Sequence, residues 1–371
     1  MTASMAQSRL NGLPRRMKDY GVNLIAMVLI LSAMALALEG LSRLFHLGKR
    51  PMVPFITDQV GNPRMPPRFQ ATVVFANGAP FRICTDGDGL RIAQCDGDAG
   101  PPQILTIGDS QAFGWGMPFS ATFTSRLASR LPGTPAAGLM AVAGTEPESL
   151  NSWAADYRAK HPGMRLKLKI ICLNLGNDLD EMFFTPANIT LPRFKAIREW
   201  LSVHSVFMLD FTILKSIVAG NEMGYLPPGA NPVLFTLDQD ERRVLAEASV
   251  AAIKRLNASA PAAEKTVVLI LPNDYQVAPS EFLKYRRFYP SAEQFDSWEK
   301  RIPESRRRLD RMQQSIAAAL TKSGFIVAMP ESDLARFDPK TILDRASHHY
   351  NALGNQVIAD SILKAISHAQ Q

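Results

Sequence analysis

The sequence predicts an α/β protein: a three-layer α/β/α domain around a central parallel sheet of about five strands, preceded by one transmembrane helix. Three observations point there. From about residue 100, short apolar runs alternate with stretches of helical periodicity, the pattern of an open parallel sheet with helices on both faces. The runs are apolar nearly throughout rather than at every second residue, as strands covered on both sides are. One long apolar stretch near the N-terminus stands outside that alternation.

Taken in order, residues 22–38 are apolar apart from Asn23 and Ser32, and with Tyr20 and Gly21 the stretch reaches 19 residues. About 20 are needed to cross ~30 Å of hydrocarbon. Arg9, Arg15, Arg16 and Lys18 precede it, so the positive-inside rule leaves residues 1–19 in the cytoplasm. Residues 20–38 then form a signal anchor in the inner membrane, with the C-terminal bulk on the periplasmic or extracellular side. A cleaved signal peptide using Ala35-Leu36-Ala37 is the competing reading, against which stands the length of the run. Residues 39–75 carry Pro51, Pro54, Pro63, Pro66 and Pro67 and are expected to be a stalk. Residues 76–371 are the folded domain.

Within it the candidate strands are 104–107, 139–142, 168–173, 267–271 and 325–328, with Thr106 and Lys169 as polar exceptions. Leu309, Met312, Ile316 and Leu320 share a helical face that ends at Gly324, and Leu245, Ala248, Ala252 and Leu256 repeat the pattern. Residues 185–237 show no such order and are expected to be an irregular insertion near the site.

Charge and cysteine narrow the class. The chain has 41 basic and 34 acidic residues; without residues 1–38 the excess falls from +7 to +4. A nucleic-acid binder should show a basic stripe on its folded part, and only the short run Arg306–Arg308 with Arg311 qualifies. Nucleic acid is therefore not an expected partner. Cys84 and Cys95 flank a Gly/Asp turn, where they either close a loop in an oxidising compartment or remain thiols. Cys172 lies in an apolar run, as a core thiol does. No CxxC pair, HExxH, GxxxxGK, GxGxxG or GxSxG is present, so neither a metal nor an organic cofactor is implied.

In such sheets ligands bind beyond the carboxyl ends of the strands, so the residues following each run are informative. After the first comes Gly108-Asp109-Ser110, after the second Ala143-Gly144-Thr145, after the third Gly176-Asn177-Asp178. His349-Tyr350-Asn351-Ala352-Leu353-Gly354 stands before an amphipathic last helix. GDS, a lone Gly, GND and HxNxxG, in this order, resemble the SGNH/GDSL hydrolase family over residues 76–368. The segment Gly89-Leu90-Arg91 upstream of the GDS turn is similar to membrane-anchored bacterial members.

The resemblance implies that Ser110 is a nucleophile and His349 its general base. It also implies an oxyanion hole made by the N–H groups of Ser110 and Gly144 and the amide of Asn177. The family carries an acid three residues before the histidine, and here that residue is Ala346. Asp344 reaching in from two positions earlier, a Ser–His dyad oriented by a carbonyl, or His348 as the base are the alternatives. The implied activity is acyl-ester hydrolysis on an exported O-acylated substrate, an envelope carbohydrate or exopolysaccharide. Acyl transfer to a polysaccharide hydroxyl and a catalytically silent glycan-binding or assembly subunit stay open beside it. Protein partners are not legible.

Overall fold

The computed structural model describes residues 15–47, 49–50, 52–58, 62–74, 79–95, 100–175, 178, 195–208, 210–211, 239–272, 274–277, 292–344 and 349–371. Helix α1 (Arg15–Phe45) comes first. An 18-residue window within its segment Val22–Phe45 has a mean hydropathy of 2.3 and lies wholly outside the protein core; among the described residues no other helix is long and apolar enough to cross a membrane. At 1.5 Å per residue, α1 is roughly 46 Å long.

The main sheet has eight strands. Five are parallel: β6 (Ile104–Gly108), β7 (Ala137–Ala141), β8 (Arg165–Asn174), β9 (Ala262–Leu271) and β10 (Ile326–Ala328), in the order β10-β9-β8-β6-β7. They coincide with the five apolar runs, and β6 is buried along its whole length. Helices α4 (Asn151–Lys160), α6 (Gln239–Ser259) and α8 (Ala292–Lys322) pack together on one side of the sheet. Helices α3 (Phe123–Ala128) and α11 (Ala352–His368) pack together on the other, so the layers are α/β/α; α7 (Asp274–Val277), α9 (Glu331–Leu334) and α10 (Pro339–Ile342) are single turns.

The sheet extends further than the apolar runs indicate. Beyond β7 lie β5 (Arg91–Ile92), β4 (Phe81–Thr85) and β3 (Gln70–Val73), all antiparallel. A two-stranded ribbon of β1 (Ile56–Thr57) and β2 (Pro63–Arg64) precedes them. The expected stalk is therefore partly inside the fold: Val53, Met65, Phe69 and Val73 are core residues. Pro54, Pro66 and Pro67 lie outside regular elements, Pro63 opens β2, and the apolar residues between them still bury. Cys84 and Cys95 are joined by a disulfide that ties β4 to the segment after β5, while Cys172 is a buried thiol.

Two further differences have local causes. On α6 the buried face is Leu245, Ser249, Ala252 and Leu256, and Ala248 faces solvent. Ser249 can be buried because its hydroxyl donates to the Leu245 carbonyl at 2.8 Å, which removes the cost of an unpaired polar group. Within the expected irregular insertion, residues 195–204 form helix α5 (Lys195–His204); the rest of that stretch, apart from 205–208 and 210–211, lies outside the described residues. Lys169, the cation inside a strand run, is 2% exposed and donates to the carbonyls of Asn257 (3.0 Å) and Pro261 (2.9 Å). It thus places positive charge at the C-terminal end of α6, where the helix dipole favours it.

Candidate active site

The chain leaves β6 on one side toward β7 and returns on the other side to β8, so the carboxyl ends of β6 and β8 flank the switch point of the sheet. Open α/β sheets bind ligands at such a crevice. Gly108 closes β6, and a Cβ there would sit 2.7 Å from Cys172 Cβ and 2.8 Å from Ala112 Cβ. Only glycine lets the first turn of α2 (Ser110–Phe113) lie this close to β8.

Asp109 is the N-cap of α2. One carboxylate oxygen accepts the N–H groups of Gln111 (3.0 Å) and Ala112 (3.4 Å), and the other accepts the Asn174 amide at 2.8 Å. Asp178 accepts the Asn174 N–H at 2.7 Å. Asp109 and Asp178 are thus turn carboxylates, and they tie the end of β6 to the end of β8. Buried between these strands, the Cys172 thiol is pushed well up by desolvation and by both carboxylates, which leaves it inert as a nucleophile.

Ser110 begins α2 and is 7% exposed. Its Oγ lies 2.8 Å from His349 Nε2, although the two residues are 239 positions apart. His349 arrives by a hairpin. Residues 343 and 350 form an antiparallel bridge, and the Asp344 N–H donates to the His349 carbonyl at 2.8 Å. The Tyr350 N–H donates to the Gln111 side chain (3.2 Å), which fastens the hairpin to the turn that holds Ser110. The Trp115 ring lies 6.3 Å from the imidazole, centroid to centroid, and is 5% exposed. It walls the site rather than offering an open stacking platform.

The HxNxxG spacing has a mechanical meaning. Asn351 caps α11, its side chain accepting the N–H groups of Leu353 (2.9 Å) and Gly354 (3.2 Å). Its own N–H donates to the Ile342 carbonyl at 2.9 Å. A Cβ on Gly354 would fall 2.5 Å from that same carbonyl oxygen and 3.0 Å from the Tyr350 side chain. Gly354→Ala is therefore expected to push the hairpin off α11 and draw His349 away from Ser110. The expected loss is about 1–3 kcal/mol of stability, as overpacking costs, together with any ester hydrolysis that depends on the Ser110–His349 contact. Urea denaturation and an ester assay on the same preparation check both.

Arg91 carries less signal in the sequence and more weight in the structure. It is fully buried, and its guanidinium donates to the carbonyls of Phe113 (2.5 Å), Gly114 (3.1 Å) and Met117 (2.7 Å). Its cationic carbon lies 4.6 Å from the Phe113 ring centre, within cation–π range. Burial lowers its pKa to about 9, so it is charged at neutral pH. The segment that follows Ser110 is thus wrapped around one buried cation.

Of the other predicted site residues, Gly144 follows β7 in a turn at φ +69° and is exposed. The Thr145 hydroxyl closes that turn on the Val142 carbonyl at 2.7 Å. Asp344 lies on the His349 hairpin with its side chain exposed. Asn177, Ala346 and His348 lie outside the described residues. Among the described residues there is no cluster of metal-ligating side chains.

No family model matches the chain, and no curated protein matches it. Solved structures do resemble it. A lipolytic G-D-S-L family member from Veillonella parvula is 11% identical, covering 70% of this chain and 96% of its own, with a TM-score of 0.37. A catalytic mutant of an acetylxylan esterase from Geobacillus stearothermophilus is 13% identical over 72% and 94%, with a TM-score of 0.36. An α/β hydrolase from the metagenome of Lake Arreo, Spain, is 14% identical over 72% and 95%, with a TM-score of 0.37. At these values the likeness is one of fold alone.

Proposed function

We propose that the protein is a serine acyl-ester hydrolase, with Ser110 as nucleophile and His349 as general base. The observation that carries this reading is the 2.8 Å contact between Ser110 Oγ and His349 Nε2 at the switch point of the sheet. A hydroxyl is a weak nucleophile at neutral pH and needs a base within this reach. For Nε2 to take the proton, the neutral ring carries its hydrogen on Nδ1. Oγ then bonds to the ester carbonyl carbon as its proton passes to Nε2. Collapse of the tetrahedral intermediate breaks the carbon–oxygen bond of the ester, and the same proton goes to the departing alcohol. Water repeats the sequence on the acyl-enzyme and frees Ser110.

The developing oxyanion is held by the N–H of Ser110, the N–H of Gly144 and the amide of Asn177 in this proposal. The Ser110 N–H is the first of a helix and has no intrahelical acceptor. The positive φ of Gly144 suits a backbone that must turn its N–H toward a ligand. Each such donor contributes roughly 3–4 kcal/mol in the transition state.

Asp344 is proposed to orient the imidazole from the hairpin they share. Asp344→Asn is expected to lower kcat about tenfold, or about 1.4 kcal/mol. An unchanged kcat assigns that task to a carbonyl and makes the pair a dyad.

The proposed substrate is an O-acylated carbohydrate of the envelope or an exopolysaccharide, met outside the inner membrane by a chain anchored through α1. The disulfide of residues 84 and 95 supports an oxidising compartment. With purified full-length protein in detergent, p-nitrophenyl acetate is expected to be cleaved by wild type. Ser110→Ala is expected to lose at least about 10⁴-fold in kcat. Equal rates for the two proteins would end the hydrolase reading.

A further inference from the structure

Outside α1, the large apolar side chains exposed among the described residues are few. Leu47 continues the exposed end of α1, and Val244, Met329, Phe337 and Leu353 stand singly, which is ordinary for a folded surface. Ile197, Trp200 and Phe211 do not: they are 58%, 59% and 50% exposed, and all three lie on residues 195–211. Ile197 and Trp200 are three residues apart on α5 and so share a helix face.

This segment is fastened to the end of α1. Glu39, the first charged residue after the apolar run, accepts the Ser205 hydroxyl (2.7 Å) and the N–H groups of Val206 (3.1 Å) and Phe207 (3.1 Å). The Arg43 guanidinium donates to the His204 carbonyl at 2.8 Å, and that of Arg50 to the Val203 carbonyl at 2.5 Å. His46 meets Asp210 at 2.8 Å. These contacts fix the C-terminal end of α5 at the level where α1 turns polar. There α1 itself still exposes Leu41, Leu44 and Phe45. The contacts therefore bring the segment that carries Ile197, Trp200 and Phe211 to the end of the apolar surface of α1.

We infer that α5 is an interfacial helix: its Ile197–Trp200 face, with Phe211, inserts among the lipid headgroups of the leaflet from which α1 emerges. A tryptophan ring is favoured at that depth, with an apolar body and one polar edge. Amphipathic helices lie in this plane without crossing it. The inference rests on reading α1 as a membrane span.

The native cysteines are a disulfide and a buried thiol, so a new surface cysteine can be labelled alone. Full-length protein carrying a nitroxide at Trp200→Cys, Ile197→Cys or Leu29→Cys is placed in nanodiscs of phosphatidylethanolamine and phosphatidylglycerol, with Lys322→Cys as the exposed control. Collision with oxygen and with a water-soluble nickel chelate is then measured by electron paramagnetic resonance. Oxygen is expected to dominate at 29, 197 and 200, and nickel at 322. Nickel dominating at both 197 and 200 while oxygen dominates at 29 overturns the interfacial helix and leaves the anchor intact. Nickel dominating at 29 overturns the anchor and the inference together.

Discussion

Replacing His349 by Gln is expected to lower kcat for p-nitrophenyl acetate by on the order of 10⁴-fold, about 5.4 kcal/mol of barrier. In the proposed mechanism the ring does two things that glutamine cannot: it takes the Ser110 proton during attack, and it returns that proton to the departing alcohol. Because His349 is 3% exposed and its hairpin is held by main-chain bonds at Asp344, Tyr350 and Asn351, the substitution leaves the scaffold in place. Stability is therefore expected to change little, and KM less than kcat. The double variant with Ser110→Ala is expected to be no worse than either single one, since nucleophile and base act as a unit. Steady-state kinetics on the three variants, with urea denaturation alongside, checks this.

Arg91→Met is expected to destabilise the protein by about 2–4 kcal/mol and to lower kcat as well. Methionine fills much of the volume but leaves the carbonyls of Phe113, Gly114 and Met117 without their donor. A buried acceptor stripped of its partner costs about 1–3 kcal/mol, partly offset because a buried cation is no longer needed. These carbonyls belong to the turn that follows Ser110, so Ser110 shifts when they relax. Misplacement of a reacting group by about 1 Å can cost on the order of a hundredfold in rate. Arg91→Lys keeps the charge but cannot fork to three carbonyls, and is expected to fall between methionine and wild type. Urea denaturation and the split between kcat and KM measure the two effects. Wild-type values in the methionine variant would remove Arg91 from any positioning role.

How much of this could be read beforehand depended on which residues carry local signatures. The five parallel strands were legible because strands buried on both faces must be apolar at every position. Strands β3 to β5 were not, because they run only two to five residues and the first follows a proline-rich stretch that reads as a breaker. Phe81 and Ile83 point inward and Arg82 outward, an alternation too short to stand out. Helix α5 was hidden because its exposed apolar residues, Ile197 and Trp200, have no core to face.

The site divides in the same way. Ser110 and His349 were legible because each sits in a turn whose neighbours are fixed by packing: Gly108 by its approach to Cys172, Gly354 by its approach to Ile342. Arg91 is legible only as part of a resemblance. Its partners are three main-chain carbonyls, 22 to 26 residues away, and a carbonyl leaves no mark in the sequence.

The central claim is that one imidazole makes one hydroxyl reactive. Its most direct measurement is to treat the full-length protein with a fluorophosphonate and locate the added mass by peptide sequencing. The expected result is a single adduct on the peptide holding Ser110, formed by wild type and absent in His349→Gln. An adduct that forms at the same rate without the histidine, or one that maps to another serine, would contradict it.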